Sequence, residues 1–248
     1  MITRVLAAAL AAGFAAGLLV AVLQHFTTTP LIIAAEAFES PASEAASARH
    51  DTGGLFGGRL ILTHTGHEGE EGGDEWAPAD GIERTVYTST VTVATAVGFA
   101  FLLLAGLLVA GGPIDTQRAL SWGVAGFVVT GLAPALGLPP ELPGMLAADL
   151  LARQIWWIGT AIATAVALWL LLRTRGLAWS ALGVVLLIAP HVIGAPHPAE
   201  AEASRVPAEL AARFASASLA VHAVLWALTG FLAGWFWQRN DSAATAEA

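Results

Sequence analysis

The chain has no cysteine and no lysine; its 11 basic residues are all arginine. Without thiols there is no disulfide framework, no thiolate metal site and no cysteine nucleophile. Without lysine there is no Walker A loop, so the chain is not itself an ATP motor. Charge of either sign is scarce. Asp, Glu, Lys and Arg make up 12% of the 248 residues, against about 25% in soluble domains, too little to clothe a soluble surface. The charges present lean acidic, 19 against 11 for a net of -8. That balance argues against a nucleic-acid partner, which basic patches favour.

Hydrophobic length takes the place of charge. Apolar residues form 56% of the sequence. A hydrocarbon core of about 30 Å needs roughly 20 of them in one helix at 1.5 Å each. Six stretches come near that length without a single Asp, Glu, Lys or Arg: Val5–Leu23, Val86–Ala110, Leu120–Leu136, Ile155–Leu172, Leu177–Gly194 and Phe214–Trp237. The third is short and holds Pro134. The first is too long for the apolar region of a signal peptide and reads as a membrane helix. The expected fold is an all-α membrane protein of about six transmembrane helices, five being possible, with one long acidic Gly-rich loop outside the membrane. Residues 1–40 form the first helix and its extension. Residues 41–84 form the His/Glu/Gly-rich loop, 85–238 a five-helix bundle, and 239–248 a disordered tail. Gly13-x3-Gly17 and Gly230-x3-Gly234 have the spacing that lets membrane helices approach closely; they read as packing positions.

Arginine marks the orientation. With six spans both termini share a side, and Arg4, Arg118, Arg173, Arg175 and Arg239 gather there. Cytoplasmic loops carry the excess of basic residues, so that side is the inner one. Threading the histidines through this topology puts all seven on or towards the outer face: His25, His50, His64, His67, His191, His197 and His222. Most of the acids lie in the two outer loops. Imidazole together with carboxylate suits borderline divalent cations such as cobalt, nickel and zinc, and an acidic surface concentrates cations. His64, His67 and Glu68 are the candidate ligands in the long loop. His191 and His197 are those at the end of the fifth span, and His222 is the one inside the sixth. Each has a plainer reading: a Gly/Glu/His loop serves as a soluble connector, and an intramembrane histidine can do no more than hydrogen-bond a carbonyl. No His-Glu-x2-His or Gly-x-Ser-x-Gly motif occurs, so an enzyme is not expected and no tightly bound cofactor is implied.

Several segments carry a resemblance to a known family. They are Gly13-Phe-Ala-Ala-Gly17-Leu18 leading to Gln24, Pro30-Leu-Ile, and Ala35-Glu36-Ala-Phe-Glu39. Then come Gly131-Leu-Ala-Pro134 through Pro139-Pro140-Glu141-Leu-Pro143-Gly144, and Asp149 through Arg153-Gln154-Ile-Trp156-Trp157. The last is Ala189-Pro190-His191-Val-Ile-Gly194-Ala195-Pro196. The chain resembles the CbtA family of cobalt transporter subunits over nearly its whole length. The resemblance implies a role in cobalt uptake that supplies cobalamin synthesis. It also implies a small single-span partner, CbtB, with a His-rich end. No ligand set comes with it.

The shared motifs have a physical reading of their own. Pro139, Pro140, Pro143 and Gly144 stiffen the connection between the third and fourth spans. Arg153 faces three possible partners, Asp149, Glu36 and Glu141, in an interfacial ion pair that anchors the helix. The alternative is a cation gate formed by Arg153 and Asp149, with Trp156 and Trp157 as its wall. The sequence-based reading is therefore a subunit of a divalent-metal uptake transporter in the bacterial inner membrane, cobalt being the cargo. Its rivals are a non-transporting accessory or assembly subunit and a metal sensor or resistance protein. Reporter fusions test the threading: fusions after Arg175 and at the C-terminus are expected on the cytoplasmic side, and one at Glu70 outside. A C-terminal reporter active outside would reduce the count to five spans.

Overall fold

The computed structural model describes residues 1–38, 78–79, 81–198 and 204–246, with side chains to 239. The candidate ligands His64, His67 and Glu68 lie outside the described residues, as does His50. Helix is the regular structure of the described residues, and they include no strand. The helices are α1 (Ile2–Phe26), α2 (Thr28–Glu36), α3 (Ile82–Ala110), α4 (Thr116–Phe127), α5 (Leu150–Arg173), α6 (Leu177–Ile193) and α7 (Ala208–Ala246). The helix α7 thus runs on to Ala246, where the sequence reading placed a disordered tail.

Four described helices are long and apolar enough to cross a membrane: Ile2–Phe26, Ile82–Ala110, Leu150–Arg173 and Ala208–Arg239. The other two stretches expected to span are not among these four. The fifth is α6, an apolar helix of 17 residues. The third is broken. After α4 the chain winds into a π-helical turn, Val128–Leu132, and then a single α-turn, Ala133–Ala135. Pro134 supplies the reason. It has no N–H for the Thr130 carbonyl, and its ring crowds that carbonyl. Widening the turn relieves both, and the Ala133 N–H bonds the Val128 carbonyl five residues back.

The helices form two groups. In the larger, α1 lies along α3 and α7, and α4 lies along α7. Their shared core joins Ala8 and Ala12 of α1, Leu104 and Leu107 of α3, Ala119 of α4 and Trp226 of α7. Lipid offers no hydrophobic drive for helix association, so small residues and close backbones supply the contact instead. A Cβ on Gly17 would stand 2.6 Å from Val93 Cα, and one on Gly230 2.7 Å from the Ala119 carbonyl oxygen. Both expected Gly-x3-Gly pairs are therefore packing seams, on α1/α3 and on α7/α4. In the smaller group α6 packs on α5, and α5 meets the rest at the π-helical turn and the Ala133–Ala135 turn. A separate core sits beyond one end of the bundle, where Ala35 of α2 meets Leu142 of the Pro-rich loop and Val206 and Phe214 around the start of α7.

The two ends differ in chemistry. At one end, Arg4 donates to the Trp237 carbonyl at 3.0 Å and lies over its ring. Arg118 donates to the carbonyls of Pro113 and Gly111, and Arg173 to that of Ala110. Arg239 covers Trp235. The opposite end holds the ion pairs Arg84–Glu36, Arg153–Glu141 and Arg213–Glu209. Arg4, Arg118, Arg173 and Arg239 thus share one end, as the threading expects.

The seams give a test. Gly17→Leu and Gly230→Leu should each destabilise the folded protein by at least about 1–3 kcal/mol, the usual cost of overpacking. Gly98, whose added Cβ would meet nothing within 4 Å, should tolerate the same change. Thermal unfolding of the purified protein in detergent reads the difference; equal midpoints for all three variants would refute the close approach.

Candidate functional site

An open groove of about 780 Å³ lies between α5, α7 and the broken third segment. The Pro-rich loop contributes Pro139, Pro140 and Glu141 to it. From α5 come Arg153, Gln154 and Trp157, from α7 Ser218 and His222, and from the π-helical turn Thr130 and Gly131. The Pro139–Gly144 segment, the Arg153–Trp157 segment and the intramembrane histidine therefore meet in a single concavity.

Arg153 settles on Glu141, at 2.6 Å. Its other two expected partners are engaged elsewhere. Asp149 caps the N-terminus of α5 by accepting from the Ala152 N–H at 2.8 Å, satisfying one of the orphan donors there. Glu36 pairs with Arg84. Of the three possible partners Arg153 thus pairs with Glu141, and Asp149 does not join it. The expected tryptophan wall divides in the same way. Trp157 lines the groove, whereas Trp156 turns to α6, donating to the Pro190 carbonyl at 3.3 Å. Gly137 makes room for it: an added Cβ there would collide with the Trp156 ring.

His222 is held by a compact network. The Trp226 indole N–H is shared between Thr130 Oγ1 at 2.9 Å and His222 Nε2 at 3.0 Å. An indole nitrogen can only donate, so Nε2 accepts, and the neutral ring carries its proton on Nδ1. The Thr130 hydroxyl lies 2.9 Å from the Gly126 carbonyl and 3.1 Å from Nε2, and its one proton serves one of them. Phe99 stacks on Trp226 with centroids 4.6 Å apart. Phe99 and Phe127 both stand 6.0 Å from the imidazole. Sequence reasoning found His222 but missed Thr130 and Trp226. The available signal was His222-x3-Trp226, since residues four apart share a helical face.

The remaining histidines lie apart. His191 is half-buried near the end of α6, its ring 6.0 Å from Trp156. His197 is exposed beyond α6, and His25 is exposed at the end of α1. The shared outer face expected for the histidines does not bring His25, His191 and His222 together, because α6 packs chiefly on α5. Among the described residues, no group of three or more His, Asp or Glu side chains is arranged to hold a metal ion.

If the indole N–H ties Thr130 and His222 into one network, Trp226→Phe should cost about 0.5–1.5 kcal/mol of stability, the net worth of a hydrogen bond. Combining it with Thr130→Val should cost less than the sum of the two. Strict additivity in thermal unfolding would dissolve the network.

No curated protein and no solved structure matches the chain. A family model described as "Probable cobalt transporter subunit (CbtA)" matches residues 2–238. With nearly the whole chain covered, the protein belongs to the CbtA family.

Proposed function

We propose that this chain is the membrane-embedded subunit of a divalent-metal uptake transporter, with cobalt as cargo. On this reading it crosses the bacterial inner membrane six times with both termini in the cytoplasm. The metal is captured at the acidic outer face, where His64, His67 and Glu68 belong, and is passed inward by way of the groove. The single observation carrying the proposal is that the groove joins the Glu141–Arg153 pair to His222 inside a membrane helix. Ionisable groups within membrane bundles face pathways or partners far more often than lipid. The family description supports transport and a subunit role, and the arginine-rich end supports the orientation. His191 and His197 stand at the outer end of α6 and serve the capture face rather than the groove.

The groove contains one imidazole and one carboxylate, and both are engaged. That leaves protein ligands for the metal to the capture step at the outer face, where a second protein, a small single-span subunit with a His-rich end, adds to them. It also favours the rival reading of an accessory subunit that does not itself conduct.

Accumulation of radioactive cobalt in cells separates these readings. Expression of the chain with its partner is expected to raise uptake, and His222→Ala and Glu141→Ala should each lower it several-fold at unchanged protein level. Uptake that stays at the unmodified level in both variants would remove the groove from the route. Uptake that needs the partner but not this chain would leave only the accessory role.

A further inference from the structure

The composition of the groove bears on the form in which the cargo travels. Glu141 and Arg153 are the formally charged residues of its lining, and they are paired. With His222 neutral, the lining carries a net charge of zero. Its remaining surface is mostly apolar, with Leu138, Pro139, Pro140, Trp157, Ile158 and Leu219. A bare divalent ion is poorly served here. Removing charge from water is costly unless an opposite charge or a full ligand shell replaces the water. The groove presents neither: one carboxylate already neutralised by a guanidinium, and one imidazole whose Nε2 already accepts a hydrogen bond.

Size points the same way. A divalent ion with six waters occupies about 180 Å³ at roughly 30 Å³ per water. The groove offers about 780 Å³, within the range of small-molecule sites, about 300–1,000 Å³. The Arg153 guanidinium lines the groove, and a guanidinium takes a carboxylate.

We infer that the groove accepts the metal as a charge-neutral complex with a small carboxylate chelator, not as a bare or simply hydrated dication. This rests on the proposed transport reading and refines it. The chelator's carboxylates cancel the charge of the ion, and its donor atoms replace part of the ion's water shell. One of the carboxylates meets the Arg153 guanidinium. The apolar walls contact the chelator's carbon skeleton, and Gln154 and Ser218 are the polar groups beside it. No bond to the metal needs to be exchanged in the groove.

The test is a charge ranking. The full chain, purified and reconstituted into zwitterionic lipid nanodiscs, is titrated calorimetrically with three probes. These are cobalt(II) chloride, the neutral one-to-one complex of cobalt(II) with iminodiacetate, and the dianionic complex with EDTA. The neutral complex should bind best, by about tenfold over the bare ion. Glu141→Gln leaves the lining positive and should move the preference to the EDTA complex. Arg153→Gln leaves it negative and should move the preference to the bare ion. The inference is overturned if the unaltered protein prefers bare cobalt, if it binds none of the probes, or if the charge variants leave the ranking unchanged. Size-exclusion profiles verify folding, and should Arg153→Gln fail to fold, Glu141→Gln decides alone. Cobalt uptake by cells separates the two levels: uptake through this chain combined with a preference for bare ion defeats this inference only. Absence of any uptake defeats the transport reading itself.

Discussion

The architecture depends on how closely α4 and α7 approach. Gly123, Gly230 and Gly234 leave so little space that a single Cβ would fall 2.5–2.7 Å from backbone atoms of the neighbouring helix. In lipid this contact cannot be replaced by burying larger apolar side chains, since acyl chains are equally apolar. The seam fixes the height of α7 against the third segment. It therefore decides that Trp226 lies level with Thr130, and that the imidazole one turn away reaches the same hydroxyl. Gly126 belongs to the same design, its Cα face turned to the Trp226 ring at 2.5 Å from a notional Cβ.

A second constraint acts just beyond that seam. Pro134 removes a backbone donor inside the apolar region, where no water can substitute. The π-helical turn answers it, and turns of this kind recur at functional sites. Here the widened turn carries Thr130 and Gly131, which floor the groove. A residue that disrupts one helix therefore shapes the concavity that three elements share. The Pro-rich loop completes it from above, held by the small core of Ala35, Leu142, Val206 and Phe214.

Much of this was legible in the sequence, for identifiable reasons. Long uncharged apolar runs have few alternatives to membrane helices, so α1, α3 and α5 were found within a few residues of their observed bounds, and α7 was found but extends well past its expected end. The glycine pairs announced their seams through spacing alone. The third and fifth spans were less legible, because a run of apolar residues records burial but not whether the helix within it is continuous. At the site, His222 stood out as a polar residue in an apolar run. Its partners did not, since threonine and tryptophan are ordinary in membrane helices. The choice of Arg153 among three carboxylates was also beyond sequence. It turned on Asp149 being committed to a helix cap and Glu36 to Arg84, which are facts of three-dimensional neighbourhood. The described histidines stay apart for a related reason: a shared end of the bundle does not mean a shared cavity.

The brevity of α6 has a mechanical consequence on the six-span reading. Seventeen residues rise only about 25 Å, while the 24 residues of its hairpin partner α5 rise about 36 Å. Lipid headgroups beside α6 must draw together to cover the shorter helix, and the bilayer thins there at a modest cost per ångström. The transmembrane voltage then falls across a shorter insulating layer on that flank than elsewhere around the protein. The local electric field is steepest beside α6, whose hairpin partner α5 lines the groove.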